Sequence, residues 1–220
     1  MGFDVFDYRT VDRNVLVTPE IRARLYHMKP GQVDRRHSHD LGHEVFLILE
    51  GEAEFTINGE TRVLGPGQMC VALADEIHQV RNTLPDRETV MYLSVTPHIQ
   101  PTHTGRNDDD SPQPPRFVPN ANYHAETDPN VPVDLLLQRH LEAAQVAAEA
   151  AQANLERHRA MAHALRQARG ANDLEAAATA RNAMWETLYT LFKAMYALGS
   201  TWNELAPRMT EPRADVSPGA

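Results

Sequence analysis

From Ile21 onward the chain alternates apolar and polar positions in short runs, each closed by turn residues, and this is the strongest pattern in its first half. Strands are expected near 21–28, 33–39, 43–49, 52–57, 61–64, 68–73, 77–82 and 88–96. The joints are Lys29-Pro30-Gly31, Asn58-Gly59, Gly65-Pro66-Gly67 and Pro85-Asp86. Asn58-Gly59 between two such runs is the signal of a type I′ hairpin. Strands this close together leave no room for crossover helices, so the pattern predicts an antiparallel β-barrel or jelly roll over residues 21–97. Residues 1–20, with scattered Phe3, Phe6 and Tyr8, read as an irregular lead-in with at most one edge strand. The run Glu44 to Glu50 departs from alternation, because Val45, Leu47 and Leu49 oppose Glu44, Phe46 and Ile48. A strand apolar on both faces is expected to be covered on both, by a second subunit or by the C-terminal helices.

The period changes in the second half. Residues 98–132 read as a Pro-rich linker, with the acidic run Asp108-Asp109-Asp110, and their composition cannot supply a core. From Val133 to about Arg169 an Ala-, Leu-, Gln- and Glu-rich stretch has no Pro or Gly and predicts a long helix ended by Gly170. Asn172 or Asp173 can cap a second helix running to about Leu205, so residues 133–206 form a helical hairpin, and 207–220 read as a disordered tail. In the second arm Leu174, Trp185, Leu188, Phe192, Met195 and Trp202 recur at three- and four-residue steps, a stripe too wide for a lone hairpin to bury. The fold expected is mainly β with an α-helical appendage.

Charge narrows the partners. The chain has 21 Lys+Arg against 30 Asp+Glu, a net charge of −9, and neither half is basic, which argues against nucleic acid and anionic membranes. The one cysteine, Cys70, excludes an internal disulfide framework and points to a reducing, cytoplasmic setting. No secretory signal and no membrane-spanning run is apparent.

Candidate chemistry lies in two segments. Gly31 to Gly51 carries His37, His39 and Glu44, and Gly67 to Asn82 adds His78. Side chains at i and i+2 of a strand share a face, so His37 and His39 can aim two imidazoles at one point, and Glu44 returns on the next strand. Three imidazoles and a carboxylate suit a divalent transition ion such as Fe, Mn, Ni, Co, Cu or Zn, with positions left for water or substrate. His43 is read as a group behind this set or on its rim. Arg35 is a candidate for a carboxylate-bearing substrate, and Tyr26, Phe46 and Tyr92 for the pocket wall. Cys70 reads as a buried structural thiol, and His140, His158 and His163 as surface residues.

The two segments resemble the paired motifs of the cupin superfamily, of the single-domain type-2 barrel kind with a C-terminal helical extension. The first motif reads Gly31, His37, His39, Glu44, Gly51 at the family's spacings, and the second Gly67, His78, Asn82, with Leu73 and Asp75 where the family has Pro and Gly. The resemblance implies one bound metal held by His37, His39, Glu44 and His78, with iron preferred. It implies a mononuclear metal-dependent enzyme on a small oxygen-bearing molecule, a dioxygenase first and an isomerase, decarboxylase or lyase next. The alternatives are a non-enzymatic ligand-binding or sensory cupin whose helices mediate oligomerisation, and a structural dimerisation barrel. A homodimer is expected from the apolar surfaces. No residue is assigned a general acid or base role, and the substrate leaves no signature.

Overall fold

Two strands, Ala53–Ile57 (β5) and Glu60–Leu64 (β6), are joined by Asn58 and Gly59, which both take positive φ, 47° and 82°. That is the backbone a two-residue type I′ hairpin requires, and it sets the register Ile57↔Glu60. The other strands are Arg13–Val17 (β1), Arg22–Met28 (β2), His37–Ser38 (β3), His43–Glu50 (β4), Met69–Ala72 (β7), His78–Asn82 (β8), Thr89–Thr96 (β9) and Thr104–Gly105 (β10). They form two five-stranded antiparallel sheets, ordered β1-β2-β9-β4-β7 and β10-β3-β8-β5-β6. This is the jelly-roll-like arrangement that the alternation predicts. The computed structural model describes residues 2–210. Within it residues up to Pro129, with those from Ala206 on, make one compact unit, and Asn130–Leu205 make a second.

The inner faces pack Met28, Phe46, Ile48, Phe55, Val80 and Met91 into one core. The sheets do not close into a barrel. Their edge strands β6 and β7 border a cleft of about 430 Å³ lined by Phe55, Ile57, Leu64, Cys70 and Val71. On β4, Glu44, Phe46 and Ile48 are buried, whereas Val45, Leu47 and Leu49 are half-buried. The outer face of β4 is therefore only partly covered, in contrast to the two-sided burial expected. Its cross-strand neighbours Val71 and Met69 on one side and Tyr92 on the other shield it laterally, while Met69 remains 61% exposed.

The strand expected over 33–39 contracts to the bridge Val33↔Arg81 and the two residues of β3. Local polar bonding explains this: the Arg35 carbonyl, instead of joining a ladder, accepts a hydrogen bond from the His37 ring. Residues 98–129 lie with the sheets and are ordered by specific contacts that composition does not reveal. β10 pairs with β3, a 3-10 turn spans Asn120–Tyr123, and Gln100 exchanges two hydrogen bonds with the Val118 backbone, at 2.7 and 2.6 Å. Of the tail expected from residue 207, Arg208 donates to the Pro129 carbonyl, and 211–220 lie outside the described residues.

The second unit consists of Val133–Gly170 (α1) and Leu174–Leu205 (α2). Asp173 Oδ1 caps α2 by accepting from the Ala176 N–H at 2.9 Å. The two helices are antiparallel and meet through small residues, with Ala147, Ala168, Ala180, Ala194 and Gly199 buried. His140 and His158 sit between the helices rather than on the surface, because each ring finds a partner there: Thr201 Oγ1 at 3.0 Å and the Met184 carbonyl at 3.1 Å. His163 is exposed, as expected. Among the described residues no helix is long and apolar enough to cross a membrane.

Candidate metal centre

His37 on β3 pairs directly with His78 on β8, His39 follows two residues after His37, and Glu44 stands on the facing sheet between Ala72 and Val95. Glu44 can reach inward because the chain entering β4 passes very close to the end of β9. A Cβ on Gly42 would come within 2.7 Å of the Thr96 carbonyl oxygen, so only glycine fits there. Glu44 Oε2 lies 2.8 Å from His39 Nε2, 3.0 Å from His78 Nε2 and 3.6 Å from His37 Nε2. One donor atom from each of the four residues falls within 4.8 Å of every other, so the cluster could hold a metal ion.

The opposite nitrogens settle the tautomers. His37 Nδ1 donates to the Arg35 carbonyl at 2.9 Å, His39 Nδ1 to the Thr102 carbonyl at 2.6 Å, and His78 Nδ1 to the Glu76 carbonyl at 2.9 Å. A carbonyl can only accept, so all three Nδ1 atoms carry protons, and in the neutral rings every Nε2 presents a lone pair towards Glu44. Three lone pairs against a carboxylate repel unless a cation lies among them. His37 Nε2 is moreover buried with no hydrogen-bond partner. The donor set therefore fits a divalent ion, which would replace protons at the same atoms.

Burial alone would raise the Glu44 pKa, but the imidazoles of His39, His37 and His78, once protonated at Nε2, hold it well below the usual carboxylate range. Burial works to lower His37, yet its closeness and attraction to Glu44 leave its pKa raised. His39 is lowered, chiefly by burial. The cluster thus holds one firm negative charge surrounded by imidazoles.

Two residues that sequence spacing missed complete the surroundings. The His103 ring lies 4.9 Å from that of His37 and 4.6 Å from that of His39, and burial, with the positive charge that His39 would carry when protonated and that of Arg22, holds it well below its usual pKa. Arg22, only 5% exposed, reaches to 3.4 Å from His103 Nε2 and 3.7 Å from Glu44 Oε1. Neither has ligand spacing. The available signal was Arg22 itself, a charged residue at an inward position of an alternating strand.

The remaining expected positions divide. Tyr26 and Phe46 face the interior, and the Phe46 ring is 5.9 Å from His78, while the Tyr26 hydroxyl is engaged by Asp34 at 2.9 Å. Tyr92 is adjacent to the inward Met91 and so points to the outer face, in register with Leu47 and Leu25. His43 is exposed and its Nδ1 accepts from the Ala74 N–H at 2.8 Å, which ties it to the turn before β8. The Arg35 side chain is exposed, and the residue serves the site through its carbonyl. Cys70 is half-buried, and burial pushes its thiol up to about 11. Asp75 takes positive φ, 67°, where the motif has glycine, and its N–H bonds the His39 carbonyl at 3.0 Å, so the substituted turn still holds His39 in place.

A two-sheet jelly roll with a buried three-histidine, one-carboxylate cluster defines the class of protein. Residues 24–96 match the family model of the cupin domain. No curated protein matches the chain. Among solved structures, an uncharacterized conserved protein with a double-stranded beta-helix domain from Klebsiella pneumoniae is 24% identical, covering 44% of this chain and 91% of its own, with a TM-score of 0.40. KdgF from a Halomonas species is 26% identical over 39% of this chain and 78% of its own, with a TM-score of 0.36. The DMSP lyase DddQ from Ruegeria pomeroyi is 29% identical over 36% of this chain and 39% of its own, with a TM-score of 0.32.

Proposed function

We propose that this protein is a mononuclear metal-dependent cupin enzyme acting on a small oxygen-bearing molecule, with His37, His39, Glu44 and His78 as the ligands and iron as the metal. The observation that carries the reading is the shared tautomer of three histidines, each locked by a backbone carbonyl so that its Nε2 faces one carboxylate. A bound divalent ion would supply Lewis acidity and open positions for a chelating substrate. The chain's own part is to hold the imidazoles and keep Glu44 ionised. Oxygenation is the reaction assigned first because iron, one of the several ions that an N₃O donor set suits, is commonly used in such sites. Free Cys70 agrees with a reducing cytoplasm.

The test is metal content by elemental analysis for wild type and for His37→Ala/His78→Ala, with oxygen uptake recorded on the iron-loaded protein across a panel of small oxygen-bearing molecules. Near-stoichiometric metal in wild type, lost in the variant, with iron-dependent uptake supports the oxygenase. Metal with turnover but no oxygen uptake assigns an isomerase or lyase instead. Metal-free, folded protein under every reconstitution overturns the enzyme and leaves a binding or structural barrel.

The helices provide the assembly surface, and its occupant is a second copy of this chain. Trp185, Tyr189 and Phe192 project along one side of α2 with exposures of 58, 50 and 47%. Glu186 and Lys193 flank that stripe on one side, seven residues apart, and neither is in an ion pair with another described residue. When two α2 helices pack antiparallel about Tyr189 and Thr190, Glu186 of each comes opposite Lys193 of the other, so the surface complements itself. Sedimentation equilibrium is expected to show a dimer that dissociates in Glu186→Lys and re-forms in Glu186→Lys/Lys193→Glu. A monomer at all concentrations overturns this assembly.

A further inference from the structure

Arg22 occupies a position that the metal ligands do not explain. It stands in one row across the sheet with Val95 and Glu44, so its side chain enters the interior on the same face as the carboxylate. It is 95% removed from solvent, being 5% exposed, and its Nε is buried with no hydrogen-bond partner. Its approach to Glu44 Oε1, at 3.7 Å, is too long for a hydrogen bond, and its contact with His103 Nε2 is at 3.4 Å. The Tyr123 ring lies 5.5 Å from the guanidinium carbon and fixes its plane, and Tyr123 is itself held edge-on against His98 at 4.9 Å.

A buried guanidinium with donors to spare is costly unless an anion meets it. Among the described residues Glu44 is the one carboxylate in an ion pair with it, and a divalent ion would draw that charge to itself. The loaded centre then carries excess positive charge at a point shared by the metal, Arg22 and His103. Arginine presents a planar fork matched to a carboxylate, whereas a surface arginine such as Arg35 would bind one only weakly through water.

We propose that Arg22 is the substrate-anchoring residue of the centre and that the substrate is a small organic acid, its carboxylate taken by the Arg22 guanidinium beside His103. This rests on the metal-centre reading above and adds the substrate class to it. Arg22 acts by binding and positioning, and no bond to it forms or breaks.

The experiment uses the full chain loaded with cobalt, whose content is measured first, and titrates two probes by calorimetry and by the visible ligand-field bands: oxalate, an anion that can reach both metal and Arg22, and imidazole, a neutral ligand for the metal alone. Arg22→Met is expected to lose tenfold or more in oxalate affinity with cobalt stoichiometry and imidazole affinity unchanged. Should Arg22→Met fail to fold, Arg22→Lys, which keeps a cation opposite Glu44 but loses the fork, carries the comparison, with a severalfold loss for oxalate alone expected. Equal oxalate affinity in wild type and the folded variant overturns the proposal while the metal centre stands. A wild-type protein that takes up no cobalt overturns the centre itself, and this anchoring role with it.

Discussion

The sandwich and the helical hairpin solve opposite problems. Inside the sandwich, large apolar side chains such as Phe46, Ile48 and Phe55 are at most 3% exposed, and the polar groups among them, His39, Glu44 and His78, are also at most 3% exposed. In the hairpin half of the buried residues are alanines, and the large side chains Trp185, Tyr189, Phe192 and Met195 stand outside at 47 to 58%. The first region buries chemistry that must be dry and pre-arranged, and a two-sheet core supplies the walls. The second brings two backbones close by using small residues, which leaves its bulky ones exposed. Burial thus follows opposite rules in the two regions: the sandwich hides its polar cluster, and the hairpin leaves its aromatic residues exposed.

The comparison breaks most sharply under truncation. Phe46→Ala is expected to cost about 3–5 kcal/mol in urea unfolding through the cavity it leaves in the core, whereas Trp185→Ala should stay within about 0.5 kcal/mol for a protomer held monomeric by dilution. Equal costs would mean that the hairpin stripe is a core in its own right. Next in size, Glu44→Gln removes the one anion shared by three imidazoles, and metal affinity should fall by ~100-fold or more, beyond what loss of an outer hydrogen bond costs. Competition with a chromogenic chelator measures it, and unchanged affinity would take Glu44 out of the ligand set.

Asp173→Ala, which removes the cap of α2, is expected to cost about 1 kcal/mol by thermal unfolding, with no change in metal content. The smallest effect concerns Cys70. With its pKa raised to about 11 by burial, then by Glu44, its reaction with a disulfide reagent should be slow at pH 8 and rise roughly tenfold per pH unit towards 11. The sign for stability follows: because the folded pKa lies above that of the unfolded thiol, the stabilisation is present below the unfolded value near 8.5 and is lost as pH rises through about 11. A thiol already reactive at neutral pH would show that water reaches Cys70 through the cleft between β6 and β7.

Much of the sandwich was legible because its signals are local. Asn58-Gly59 specifies its hairpin through two adjacent φ angles, and the i, i+2 step of His37 and His39 needs only a strand to become a shared face. Tyr92 shows where parity was misapplied, since it cannot share a face with its neighbour Met91. The contraction of β3 was not legible either, because it follows from the Arg35 carbonyl bonding the His37 ring. The linker reading had a similar limit: eight prolines between 97 and 132 describe a segment without its own core, yet Thr102 and His103 within it lie against the cluster.

By itself the sequence determined the alternating strands, the two long helices and their break, the four-residue donor set and the acidic, single-cysteine character of the chain. Each of these depends on residues close in sequence or on a motif whose spacing encodes a turn. Only the tertiary structure decided the tautomers of the three histidines, the placement of His103 over them and the burial of Arg22 beside Glu44. Those depend on contacts such as the one between Arg22 and His103, which are 81 residues apart. Which distant groups share a dry interior is a property of how the sheets face each other, and no local spacing carries it.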